Sequence, residues 1–133
     1  MRTINIHFPE INKEISYLVG KNKRDNFAVI DEGVEDDLWF HSEDGSSCHV
    51  LCILPNELIL SEQQKKLLVQ KGAEICKKFT RKLTSLHKVP ILYTEIKNVT
   101  KTKTLGLVNA INTNTIVVTE QEDKQEPCSS ITV

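Results

Sequence analysis

Aromatic residues are scarce in this chain, with four Phe, two Tyr and one Trp in 133 positions. Most of these seven must serve a core, which argues against reading a long single strand by stacking base after base on exposed rings. Paired cysteines are missing too. The four Cys stand at 48, 52, 76 and 128 with no CxxC spacing, so the usual structural-zinc signature is absent. No apolar run approaches the roughly 18 residues that cross a bilayer. The N-terminal MRTINIHFPE lacks the apolar block of a secretory leader, and a cytoplasmic location is expected. There is no GxSxG elbow, no GxGxxG fingerprint and no Walker loop. The hydrolase, dinucleotide-binding and P-loop classes that depend on those motifs have no support.

What is present is an ordinary globular composition, 39% hydrophobic and 26% charged. At this length one domain can bury a core without disulfides or metal. The net charge of −1 hides an uneven distribution. Between Gln63 and Thr104 stand eleven Lys and Arg against Glu74 and Glu95, a net +9, and the remainder carries −10. Such segregation either produces a field that attracts polyanions or clothes a solvated helix face.

The stretch Asp36–Val50, DDLWFHSEDGSSCHV, holds the only Trp, two of the four His and one Cys. Asp44-Gly45 marks a hairpin turn, because a tight turn needs positive φ. The flanks predict strands over Leu38–Ser42 and Ser47–Leu54. Alternation puts Leu38 and Phe40 on one face, Trp39 and His41 on the other. On the return strand it separates Cys48, Val50 and Cys52 from His49, Leu51 and Ile53. A three-residue loop sets His41 opposite His49, a two-residue loop sets it opposite Cys48, and both registers stay open.

Earlier in the chain, Thr3–Phe8 and Ile15–Val19 alternate around Pro9–Lys13 and predict a first hairpin or two short strands. Lys23–Glu32 predicts a short helix, Phe27 and Ile30 on its inner side and Gly33 past its end. Asn26 is a mediocre helix former, and either a local hydrogen bond or a contact with a neighbouring loop or ligand accounts for it. In the acid run Glu35-Asp36-Asp37, one Asp is expected to orient the turn and the others to be hydrated. After the connection Pro55–Leu60, Ser61 and Gln64 form a capping box. It opens a helix from Glu62 to about Leu83. Leu68, Gly72, Ile75, Cys76, Phe79 and Leu83 make its apolar stripe, with Lys66, Lys77, Lys78 and Arg81 opposite. Gly72 costs about 1 kcal/mol in helix propensity and is expected to let the helix lie close on the sheet. Pro90 opens a strand over Ile91–Thr94. The basic stretch 95–103 reads as a loop or irregular strand, and Gly106–Ala110 with Thr115–Thr119 as a last hairpin about Asn112-Thr113-Asn114.

Three chemical readings compete before any family is considered. Cys48, Cys52, His41 and His49 would make a zinc site of unusual spacing. Cys48, His49 and Asp36 would make a thiol hydrolase. Lys and Arg to neutralise phosphates, with Trp39, Phe40 or Tyr93 available to bases, would make a nucleic-acid-binding surface, and recognition by shape and backbone suits RNA. The first two compete with plain burial of small thiols and strand histidines in a core, which is expected instead.

The residues Gly20-Lys21-Asn22 with Asn26, Asp36-Asp37-Leu38-Trp39-Phe40-His41, Ser47-Cys48-His49-Val50, and Tyr93-Thr94 followed by Lys97-Asn98-Val99 resemble the NFACT-R domain. That domain is the RNA-binding module of the NFACT proteins of ribosome-associated quality control. The match runs from about Tyr17 to Val118 and is most like the single-domain eukaryotic coiled-coil-domain-containing relatives. The resemblance implies an α+β domain, residues 1–119, with an antiparallel-rich sheet packed on one long helix and a short one. Residues 120–133 are expected to form an acidic disordered tail. It implies a non-catalytic domain without cofactor or metal that binds RNA, tRNA or ribosomal RNA. It places Asn26, Asp37, Trp39, His41, Ser47 and His49 in the signature surface and Lys97 and Lys101 on a basic rim, to which the helix adds Lys77 and Arg81. DNA binding and a protein-interaction adaptor are the alternatives, with the ribosome or another protein as partner.

Overall fold

The computed structural model describes residues 1–119; the expected acidic tail lies outside the described residues. The architecture is α+β. Strands β1 (Arg2–Phe8) and β2 (Lys13–Val19) form the expected hairpin, and α1 spans Lys23–Glu32. Then come β3 (Leu38–Ser42), β4 (Val50–Ile53), α2 (Glu62–Lys78) and β5 (Lys88–Glu95). Two short strands, β6 (Val99–Lys101) and β7 (Val108–Ala110), precede β8 (Asn114–Thr119). Six strands make one sheet in the order β1-β2-β4-β3-β5-β8, every neighbour antiparallel.

Alternation along these strands gives the sheet two apolar faces. On one face Ile15, Tyr17, Val19, Leu38, Phe40, Val50, Cys52, Val89, Ile91 and Val118 pack with Leu68, Val69, Ala73, Ile75 and Cys76 of α2. The helix starts where its capping box predicts, with Ser61 Oγ accepting from Gln64 N at 3.1 Å and Gln64 Oε1 accepting from Ser61 N at 3.0 Å. Gly72 lies so close to the sheet that a Cβ there would come within 2.3 Å of the Phe40 ring. Ile4 and Ile6 of one edge strand and Val118 and Thr119 of the other line a single cavity beside α2. The sheet therefore curls around the helix.

The second face is covered as well. Leu18, Trp39 and Leu51 pack there with Val29 of α1 and with Ile96 and Val99, and Val108 and Ala110 close the cluster. This second layer differs from the sequence expectation in two places. On α1 the buried residues are Asn26 and Val29, while Phe27 and Ile30 are half-buried. At the C-terminal end, β7 pairs with β6 and β8 pairs with β5, so the expected β7–β8 hairpin does not form. Tertiary pairing wins here because the 95–110 segment crosses the open face and buries Ile96 and Val99 against Trp39 and Leu51.

Two boundaries also move. Helix α2 ends at Lys78, and Arg81–Leu83 forms a separate 3-10 turn. Thr80 between them is extended, its hydroxyl accepting from Cys48 N at 3.1 Å. The return strand of the central hairpin begins at Val50 rather than Ser47. Side chains there take the N–H groups that a ladder would use: Ser47 Oγ accepts from Ser42 N, Thr80 Oγ1 from Cys48 N, and Asn26 Oδ1 from His49 N. Gly45 has φ 79°, the left-handed geometry for which the turn selects glycine.

Candidate nucleic-acid interface

The central hairpin fixes the site from the backbone outward. Phe40 pairs with Val50, so the next residues along, His41 and His49, lie across from each other, the register of the three-residue alternative. Their rings meet edge to face with centroids 4.9 Å apart. Trp39 completes the cluster, stacked on His41 at 5.7 Å and edge-on to His49 at 5.4 Å. The Trp39 indole N–H donates to His49 Nδ1 at 3.2 Å.

The expected outward-looking Trp/His surface is only partly present. Trp39 is 2% exposed and His49 1%, and His41 alone reaches solvent. Burial, with His41 adding repulsion, brings the His49 pKa down to about 3, so the ring is neutral. Since Nδ1 accepts from the indole, the proton resides on Nε2. Burial also holds His41 below its ordinary range. The Ser42 carbonyl, 2.7 Å from His41 Nδ1, offsets part of that, and Lys82 adds to it.

The other signature residues hold this hairpin in place. Asn26 Oδ1 accepts from His49 N at 3.1 Å, and Gly20 N donates to the His49 carbonyl at 2.9 Å. A Cβ on Gly20 would fall 2.2 Å from Asn26 Oδ1, so the glycine is what admits the amide. Of the two accounts for Asn26, the contact with a neighbouring loop is the one realised. Asp37 is buried, its carboxylate accepting from Val34 N and Leu54 N, each at 2.9 Å. It orients the turn, while Asp36 is exposed. Ser47 is half-buried and donates to the Cys48 carbonyl at 2.9 Å while accepting from Ser42 N.

The cationic residues scatter. Lys77 is buried, not on the outer face of α2, and its ammonium donates to the Thr84 carbonyl at 3.1 Å. That bond ties the end of α2 to the turn after it. Arg81 is exposed beside Lys82, whose Nζ donates to Ser46 Oγ in the hairpin loop at 3.2 Å. Lys97 bridges Glu95 at 3.3 Å and Asp36 at 3.4 Å, and Lys101 pairs with Asp31 above the Phe27 ring. Lys82 was missed from sequence, because nothing local says that the turn after α2 meets the hairpin loop.

The thiol-hydrolase constellation is not assembled. Cys48 Sγ faces α2, 3.5 Å from the Cys76 carbonyl and 3.3 Å from Thr80 Oγ1. His49 points to the opposite face, and the Asp36 carboxylate is engaged with Lys97. Two concavities lie elsewhere in the described residues. One of about 880 Å³ runs between the sheet edges and α2 with Ile4, Ile6, Ile75, Phe79 and Val118 inside it, away from the hairpin cluster. The other, about 340 Å³, is walled by Lys65, Tyr93, Thr94, Glu95, Asn112 and Asn114 among others.

A two-faced antiparallel sheet wrapped on one helix, with a hairpin braced by indole and imidazole, defines an α+β domain. A family model described as the NFACT protein RNA binding domain matches residues 6–110, and the chain belongs to that family. Coiled-coil domain-containing protein 25 of Danio rerio is 27% identical over 89 residues, 67% of this chain and 42% of that protein. The C-terminal part of the fibronectin/fibrinogen-binding protein from Streptococcus suis superposes with a TM-score of 0.70 at 23% identity. That likeness covers 92% of this chain and 47% of the other, and is one of fold. The chain spans less than half the length of either protein. Among the described residues no helix is long and apolar enough to cross a membrane.

Proposed function

We propose that this chain is a non-catalytic domain that binds tRNA or ribosomal RNA, acting in the cytoplasm in translation or ribosome-associated quality control. The observation that carries the reading is the approach of Lys82 to Ser46 in the hairpin loop and to His41, the hairpin's one solvent-reaching histidine, with exposed Arg81 next to Lys82 in the chain. Both side chains are free of acid partners among the described residues. They therefore meet phosphate without first giving up a carboxylate. Lys97 and Lys101 form an outer rim whose ammonium groups must exchange Asp36, Glu95 and Asp31 for phosphate. Asn26, Asp37, Trp39, Ser47, His49 and Lys77 act on the ligand indirectly, by holding that surface in shape.

The test is filter binding to tRNA, generic RNA and DNA of equal length across salt concentration. Arg81→Glu with Lys82→Glu weakens RNA binding most, Lys97→Glu with Lys101→Glu less. Each lost phosphate contact flattens the log–log salt slope by about 0.7–0.9. Unchanged affinity in both double variants overturns the reading. Equal affinity for DNA leaves a phosphate-binding surface without the 2′-hydroxyl contacts that define RNA, and salt-insensitive behaviour with no nucleic acid bound favours the protein-adaptor alternative.

A further inference from the structure

The 340 Å³ cavity lies between the N-terminal half of α2 and the start of β8. Leu38, Lys65, Tyr93, Thr94, Glu95, Lys97, Asn98, Asn112 and Asn114 form its walls, and most of these are polar or charged. Part of this wall is built and rigid. The Thr94 hydroxyl lies 3.2 and 3.1 Å from the Ile111 and Asn112 carbonyls and accepts from Asn98 Nδ2 at 2.9 Å. Ile111 N donates to the Asn98 carbonyl at 3.1 Å, fixing the turn on which Asn112 adopts φ 54°. Tyr93 is half-buried with its ring against Phe40, centroids 6.1 Å apart.

Against this scaffold stand groups with nothing to bind. The Tyr93 hydroxyl, the side-chain amides of Asn112 and Asn114 and the Lys65 ammonium take no partner among the described residues. Together they offer an aromatic ring, amide donors and acceptors and a cation, and Glu95, bridged to Lys97 at 3.3 Å, adds a carboxylate acceptor. The volume is at the small end of the roughly 300–1,000 Å³ typical of small-molecule sites. It suits one base with its ribose and no longer stretch of strand.

We propose that this cavity receives a single unpaired nucleotide of the bound RNA, one whose base carries an exocyclic amine. The base lies against Tyr93, its amine donates to Glu95, Asn112 and Asn114 complete its edge, and Lys65 meets the phosphate. Carboxylates accept from base amines and amides pair bidentately with adenine, whereas uracil has no amine to give. The inference rests on the RNA-binding reading and adds to it a point of base recognition where the Arg81/Lys82 surface supplies only charge.

The experiment compares three RNA hairpins bound to the full chain: fully paired, with one bulged adenosine, and with one bulged uridine. The adenosine bulge binds roughly tenfold tighter than the paired hairpin, the scale of one base stacked on a ring, and the uridine bulge gains less. Asn114→Ala and Lys65→Gln, both outside the core, abolish the gain and leave the paired hairpin's affinity nearly unchanged. Equal, salt-sensitive binding of all three RNAs overturns the pocket and spares the RNA reading. Retention of the gain in both variants also overturns the pocket. Absence of salt-sensitive binding to any of them overturns the RNA reading, and the pocket with it.

Discussion

The Trp39 indole hands its only hydrogen bond to His49 Nδ1, 3.2 Å away, and both rings are sealed from solvent. The pair bridges the two arms of the hairpin and leaves His41 as the one ring of the cluster facing outward. A surface side chain is thereby held by a buried polar bond, which is directional and costly to break. The hairpin's shape, and with it the position of Lys82 against Ser46, depends on that bond staying neutral and intact.

Removing the donor tests this. Trp39→Phe keeps an aromatic ring but leaves His49 Nδ1 buried and unpartnered, a cost of about 1–3 kcal/mol. Urea denaturation followed by circular dichroism is expected to show that loss. RNA affinity at saturating folded fraction is expected to stay within a few-fold. A large binding defect in a fully folded variant would return Trp39 to the ligand surface.

Acid tests it from another side. His49 has a folded-state pKa of about 3, below the ordinary 6.5. The unfolded chain therefore takes up this proton first. The contribution of the neutral ring is full above pH 6.5 and is lost as pH falls from 6.5 toward 3. Across that window each step of one pH unit removes about 1.4 kcal/mol. Urea midpoints measured down this range are expected to fall. They fall less in His49→Asn, whose amide oxygen can still accept from the indole without titrating. Parallel profiles for the two proteins would mean that another group is responsible.

Gly72→Ala sets two effects of opposite sign against each other. Alanine favours the helix by about 1 kcal/mol, but its Cβ would sit 2.3–2.8 Å from three carbons of Phe40, a ring with no exposure and no room to retreat. Overpacking of this kind costs about 1–3 kcal/mol, so net destabilisation is expected. A raised thermal midpoint would show that α2 can lift off the sheet without penalty.

The three described cysteines are not equally reactive. Hydrogen bonds from the Cys76 thiol and then Thr80 stabilise the Cys48 thiolate and lower its pKa, and the residue is half-exposed. Burial pushes Cys52 up to about 12, and Cys76 is raised by its bond to Cys48 and by burial. Iodoacetamide followed by peptide mass mapping is expected to label Cys48 well ahead of the other two. Prior labelling of Cys52 would require opening of the sheet.

Much of the local structure can be read from the chain alone. The alternation of Leu38-Trp39-Phe40-His41 fixes which residues share a face, Ser61 and Gln64 fix the start of α2, and Gly33 marks the end of α1. These are contacts between residues a few positions apart, or consequences of a two- or 3.6-residue period, and need no knowledge of the rest of the molecule. Alternation says that Trp39 and His41 share a side of the sheet; it says neither that His49 joins them nor whether that side is wet. Only the tertiary structure decided this, because the cover comes from α1 and from Ile96 and Val99, distant in sequence and joined to Trp39 by apolar burial. The same holds for the lysines. A charge count places them in one segment, whereas the path of the backbone sends Lys77 inward to a carbonyl, Lys97 and Lys101 to carboxylates, and Lys82 to the hairpin loop.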